Sequence, residues 1–318
     1  MAGSTQCMGK RPAFFVSSFS RVLLVASVLG LGLATLEAQR RLGDSPLDTL
    51  GKKVSQAEGL EILNEFRRLG IAGEYRLGFN LEVRPRSGKS WRVPGVLIGT
   101  QSEYGPLSRV DIAVEPSDVT DKGELIPAKV KRLLLQNGLF ANAVESDSWT
   151  EEGKEARLIE PEHYLDGVVG SDFSVFDLLM PFTFWQNSVY EGRTTRRGRP
   201  MHVFSLHPPK DSGKLVEQIS KVRLFLDVEF KYIDRFEVFD AEETLVRAVW
   251  VDAFKLVDGQ AVPSLVHVKN MVTKDKALLR IKDASIGIDA PDWVFEIGGM
   301  DRSVYGTQVA QLQKVETE

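Results

Sequence analysis

The chain has 318 residues, 43% of them hydrophobic and 26% charged, with a formal net charge of −4. This is the composition of a globular protein with a sizeable core, and its acidic balance argues against nucleic-acid binding, which needs concentrated positive charge. The only cysteine is Cys7, ahead of everything that reads as folded, so a disulfide framework, thiol catalysis and cysteine metal sites are excluded from the domain.

Lys10, Arg11 and Arg21 precede the apolar run "VLLVASVLGLGLATLEA", which meets its first charge at Glu37. A basic start, a short apolar run and small residues near its end predict a signal peptide over residues 1–38, cleaved after Ala34 or Ala38, and export to the periplasm. The alternative is an uncleaved anchor helix, for which the run is short. Residues 39–54, with Gly43, Pro46 and Gly51, predict a flexible leader.

Ser55 and Glu58 form a capping-box pattern that starts a helix. Leu60, Ile62, Leu63, Phe66 and Leu69 give it one apolar face, and Gly70 is placed to end it. The period then changes to two. Tyr75, Leu77, Phe79, Leu81 and Val83 alternate with Arg76, Gly78, Asn80 and Glu82, as in a strand with one buried face. "RSGKS" reads as a turn, and "WRVPGVLIGT" and "SRVDIAVEP" as the next strands. Pro94 predicts an edge strand or a bulge.

Between residues 121 and 166 the pattern is mixed. Apolar content allows a helix over "AKVKRLLLQNGLFANAVES", but Asn137-Gly138 between two apolar runs favours a hairpin. "SWTEEGKEARL" reads as a loop. Then comes "VVGSDFSVFDLLMPFTFW", residues 168–185, too short and polar to span a membrane and too apolar for a surface loop. It predicts a turn at Gly170-Ser171-Asp172, a short helix over Phe173 to Leu179, and a stop at Pro181.

From Ser188 onward the chain reads as antiparallel meander. In "KVRLFLDVEF", Val222, Leu224, Leu226, Val228 and Phe230 face one way, while Lys221, Arg223, Asp227 and Glu229 face the other, with Phe225 the exception. The basic run "GRTTRRGRP" predicts a solvated turn between strands. The pattern describes one domain over residues 55–300, a sheet wet on one face and covered by few helices on the other, and a polar tail over 301–318.

No catalytic constellation emerges. Gly88-Lys89-Ser90 has Val83 where a phosphate loop needs glycine. His163, His202, His207 and His267 lack metal-ligand spacing, and there is no nucleophile elbow. Glu160, Glu162, Asp166, Asp172 and Asp177 read as a solvated rim. The expectation is a non-enzymatic protein with no cofactor and no metal. The apolar sheet face and the segment 168–185 form either a binding surface or a plain core.

"GSDFSVFDLL" (170–179) resembles the G-S-D-F-S-x-x-D-L signature of the LolA-like outer-membrane lipoprotein-sorting proteins. "YEGRTTRRGRPMHVFSLHPP", "KVRLFLDVEFKYIDRFEVFD", "AVPSLVHVKNM" and "APDWVFEI" follow in that family's order. The resemblance implies an α+β fold: a single domain with a strongly curved antiparallel sheet, an unclosed half-barrel, and helices across its concave face. It also implies a periplasmic carrier of lipid or lipoprotein acyl chains, working with an inner-membrane transporter and an outer-membrane acceptor. With the alternation above, it places Tyr75, Leu77, Phe79, Leu81, Phe173, Phe176, Leu179, Met180, Val222, Leu224, Leu226 and Val228 around a lipid cavity. Asp172 and Asp177 then sit at the rim of a lid, and Asp172 and the serines anchor its first helical turn; the alternative is a static structural helix. The region 121–166 and the glycine-free turn Ala241-Glu242-Glu243 depart from the family pattern. A second reading is an envelope lipid-sensing or scaffold protein of the same fold, a class that usually carries a further C-terminal domain.

Overall fold

The computed structural model describes residues 53–115, 128–305 and 313–315. The predicted signal peptide and most of the leader lie outside them. The first helix, α1 (Gln56–Arg67), starts as the capping box predicts: Ser55 Oγ accepts from the Glu58 N–H at 3.2 Å, and Glu58 Oε2 accepts from the Ser55 N–H at 2.8 Å. Gly70 does not end it. The cap is Arg68 in ordinary right-handed backbone, whose N–H reaches the Glu65 and Phe66 carbonyls, and Leu69 is left 53% exposed.

Six strands follow. β1 to β6 are Glu74–Arg84, Trp91–Ser102, Gly105–Ala113, Val130–Gln136, Asn142–Asp147 and Arg157–Leu158. The Asn137-Gly138 signal is a hairpin: Gln136 pairs with Asn142 across it. The stretch read as a loop before β6 also holds a helical turn, α2 (Glu151–Lys154), capped by Thr150. Then come α3 (Val175–Leu179), a 3₁₀ turn over Pro181–Phe184, β7 (Asn187–Arg196) and β8 (Arg199–His207). After α4 (Leu215–Gln218), β9 to β13 are Lys221–Asp227, Ile233–Phe239, Leu245–Val257, Gln260–Asn270 and Lys276–Ile288, and β14 is Gln313–Lys314.

All strands join one antiparallel sheet in the order β6-β5-β4-β3-β2-β1-β13-β12-β11-β10-β9-β8-β7, with β14 on β13. It is a strongly curved, unclosed half-barrel with few helices. Two meanders, β1–β6 and β7–β13, are fused by the long β1–β13 pairing, which runs from Glu74↔Ile288 to Arg84↔Lys276. The solvated turn at Arg197-Gly198 has both residues at positive φ (49° and 77°), as does Asp258-Gly259 (48° and 76°). Those are the two-residue turns whose twist matches the flanking strands.

Three further expectations change. Pro94 lies in an interior strand with no bulge, opposite Asn80 of β1. Its missing N–H is tolerated because the pairing with β3 begins only at Gly95, and its carbonyl accepts the Tyr305 hydroxyl at 2.8 Å. β9 stops at Asp227 rather than Phe230. The Asp227 carboxylate accepts the Glu229 and Phe230 N–H groups at 2.9 and 2.8 Å, a turn that turns Val228 and Phe230 off the strand face. Finally, the convex face is not wholly wet. Val294, Met300, Val304 and Tyr305 are buried against it, and Val315 is buried in the main core, so much of the described tail is packed. That cover shields a fully buried ion pair, Arg109–Asp111 at 2.7 Å, whose further partners include the Arg302 carbonyl, the Val304 N–H and, at 3.9 Å from Asp111, Arg132.

Candidate functional site

β6 and β7 are consecutive in sequence yet form opposite edges of the sheet. Residues 159–186 must therefore carry the chain across the sheet from one edge to the other. This is why a connecting segment is so apolar: it covers the concave face along its path. Phe176, Phe182 and Trp185 pack at tilted to edge-on angles, with ring centroids 5.5 to 6.4 Å apart, and Phe182 lies 4.7 Å from Phe236 of β10. Such tilted contacts suit aromatic quadrupoles and add to burial.

Polar bonds fix the segment as firmly as its aromatics do. α3 begins at Val175, not at Phe173, and is capped by Ser174 through a second capping box in which Ser174 and Asp177 exchange hydrogen bonds. Beneath it, Arg247 rises from β11. Its Nε donates to Asp177 Oδ1 at 2.8 Å, and its Nη2 donates to Asp177 Oδ2, the Asp172 carbonyl and Ser174 Oγ. Asn270 of β12 donates to Asp172 Oδ1 at 2.9 Å. Further along, Arg67 of α1 donates to the Thr183 and Trp185 carbonyls at 2.6 and 2.7 Å.

The bonds correct the reading of the acids. Asp177 is buried and ion-paired beneath the helix, not exposed at a rim, because the capping box turns it inward onto Arg247. Asp172 is half-buried, and it does not cap α3; it holds Asn270. Arg247 itself went unnoticed in the sequence. Its signal was there: it occupies an inward position of β11, two before the buried Val249, where the alternation calls for an apolar residue.

Of the predicted cavity residues, Leu77, Phe79, Leu81, Phe173, Phe176, Leu179, Val222, Leu224 and Leu226 are buried in one apolar cluster. Tyr75 and Met180 pack against it half-buried. Val228 is not among them, for the turn at Asp227 removes it. Phe225, the exception in the alternation, faces the other way and packs with Met201 and Val203 under the Arg196 guanidinium.

Open space lies beside this cluster. A cavity of about 480 Å³ opens between the β4–β6 edge and the start of the crossing segment. Its apolar lining is Val114, Trp149, Leu158, Ile159, Val168, Val169 and Val175. At its rim, Lys131 pairs with Glu145 and Asp147 at 2.5 and 3.1 Å, and Arg157 with the same two acids at 2.6 and 3.5 Å. Both cations are thus paired, and Glu160, His163 and Asp166 also line the cavity, so an apolar wall meets a rim with an excess of acids. The volume falls within the range of small-molecule sites. Val169 in its wall is a β-branched residue at φ 46°, a strained backbone held in place by its surroundings. Met180, at the other end of α3, has φ 48°.

His202 on β8 is also buried in this face. Its Nδ1 lies 3.0 Å from the Tyr190 hydroxyl. Burial first, then the nearby Arg193 and Lys231, push its pKa down from 6.5 to about 4. Between those values the unfolded chain binds more protons than the folded one, so stability falls as pH drops through that window. Through His202 alone, acidification from pH 7 to 4 should cost about 2–3 kcal/mol. Burial lowers His267 as well, in the same direction. Urea unfolding across that range checks this, and His202→Gln should make the slope shallower by that amount, the rest coming from His267 and from carboxylates such as Glu82 and Glu145, whose pKa values are lowered.

A family model described as an uncharacterized protein matches residues 149–302. The sequence has no match among curated proteins. Solved structures do match. A DUF1329 family protein from Desulfovibrio piger aligns with a TM-score of 0.64 at 13% identity, over 77% of this chain and 98% of its own. A candidate outer membrane lipoprotein-sorting protein domain from Vibrio parahaemolyticus aligns with a TM-score of 0.63 at 16% identity, over 77% and 99%. A LolA superfamily protein from Nitrosomonas europaea aligns with a TM-score of 0.54 at 15% identity, over 76% and 98%. The chain has the LolA-like fold.

Proposed function

We propose that this chain is a carrier of the cell envelope that binds lipid or lipoprotein acyl chains between its sheet and the crossing segment 159–186. The observation that carries this reading is the cavity of about 480 Å³, which joins an apolar floor to the first part of that segment. Each acyl methylene taken out of water there contributes about 0.8 kcal/mol, with no covalent chemistry. The LolA-like fold supports the reading, since one neighbour of that fold is described as a lipoprotein-sorting domain. In this proposal the cargo enters at the β4–β6 edge, and the segment yields between its two left-handed residues, Val169 and Met180. Export to the periplasm by a cleaved signal peptide, and exchange with an inner-membrane transporter and an outer-membrane acceptor, complete the proposal.

Brominated fatty acids test it. Trp149 lines the cavity, so bound bromine should quench its fluorescence. Trp149→Phe should remove most of that quenching and Trp293→Phe should not, because Trp293 packs on the convex side. Saturable quenching together with a co-purifying lipid mass in native mass spectrometry is the expected result. An empty protein that no acyl chain quenches would overturn the reading.

A further inference from the structure

Two hairpin tips stand side by side at one end of the sheet. One joins β2 to β3 and carries Tyr104; the other joins β4 to β5 and carries Leu139 and Phe140. These three side chains are 67%, 68% and 82% exposed, an unusual cost for large apolar groups. The tips are braced against each other through their backbones. Gly138 (φ +132°) sits so close to the Tyr104 carbonyl that a Cβ there would lie 2.0 Å from its oxygen, and the Asn137 N–H donates to the Pro106 carbonyl at 2.8 Å. The exposure therefore belongs to a rigid platform.

From this we infer that the paired tips are a membrane-contact surface, inserting Tyr104, Leu139 and Phe140 into the interface of a lipid bilayer. Two facts favour a bilayer over a protein. Three side chains, at about 200 Å² each, fall short of the roughly 800 Å² that a stable protein interface takes from each partner. And the composition is that of an interfacial anchor, two apolar side chains beside an aromatic with a polar end. Glu103 is the only charged residue in the two loops, so insertion rests on apolar burial and not on attraction to anionic headgroups.

The platform also touches the crossing segment. Asn137, at the root of the second tip, donates through Nδ2 to Thr183 Oγ1 at 3.3 Å and to the Met180 carbonyl at 3.4 Å. Contact with a bilayer thus occurs at the end of the molecule where the segment's left-handed Met180 lies. The inference rests on the carrier reading for its purpose, but not for its test.

Flotation of the full chain with phosphatidylcholine vesicles, with and without anionic phosphatidylglycerol and at low and high salt, is the experiment. Expected is co-flotation that depends on neither anionic lipid nor salt. Leu139→Ser with Phe140→Ser should lower the partition coefficient at least about tenfold, with the urea midpoint unchanged because both side chains are exposed. Should that pair disturb the fold, Tyr104→Ser on the neighbouring tip should weaken partition by itself. The inference is overturned if the chain does not float, floats only with anionic lipid at low salt, or floats equally well with the tips replaced. It is overturned too if sedimentation shows the tips joining two copies of the chain in place of a bilayer. Native mass spectrometry keeps the two claims apart: bound lipid without flotation removes the membrane surface alone, and flotation without bound lipid removes the carrier alone.

Discussion

Replacing Arg247 with methionine should cost about 3–5 kcal/mol of stability, because it strands a buried carboxylate. The Asp177 side chain is fully buried and that of Arg247 only 9% exposed. The two form a fork-to-fork pair, a geometry in which both carboxylate oxygens are satisfied by one guanidinium. Arg247 also holds the Asp172 carbonyl and Ser174 Oγ, so its loss frees the first turn of α3 as well as its charge. Urea unfolding gives the magnitude. Amide hydrogen exchange should locate it, with residues 172–182 losing protection before the sheet does. Combining Arg247→Met with Asp177→Leu should recover most of the loss, since removing both charges also removes the desolvation cost of the pair. A single variant within 1 kcal/mol of the parent would mean that the segment is held by its aromatics alone. In the proposed carrier this ion pair is the fastening that cargo entry must either leave intact or break, and the same exchange experiment with and without a fatty acid tells which.

Leu224→Asp should abolish the fold. Leu224 is fully buried on β9, opposite Phe204 on one side and Phe236 on the other, and an aspartate there has no partner within the apolar cluster. One residue away, Arg223→Gln should cost no more than about 1 kcal/mol. Arg223 lies on the opposite face, partly exposed, with Glu191 and Glu237 at 3.3 and 3.9 Å. Circular dichroism and urea unfolding of the two variants check the strand register. Equal effects would mean that the register is wrong, since a slip of one residue exchanges the two faces.

How much of this could be read from the residues follows from the range of the forces. Local patterns were legible. The capping box at Ser55 and Glu58, the alternation from Tyr75 to Val83 and the Asn137-Gly138 hairpin all depend on neighbours a few residues away, and the structure shows each of them. The short helix near residue 175 was legible too, but its first residue was not. Ser171, Asp172 and Ser174 are all chemically able to cap, and Arg247, more than seventy residues distant, is bound by the turn that results. Likewise Val228 carried the right residue type on the right phase, but the Asp227 turn ended the strand first.

The sequence by itself determined the fold class, because period-two alternation specifies a half-buried sheet without reference to any partner. It also marked residues 168–185 as apolar cover. Only the tertiary structure decided what that cover does. Strand order places β6 and β7 on opposite edges, and no local pattern encodes strand order, since pairing is chosen among distant segments of similar apolar content. From that order follow the crossing path of residues 159–186, the buried fastening of Asp177 by Arg247, and the cavity at the β4–β6 edge, which is lined by residues whose spacing along the chain has no period to detect.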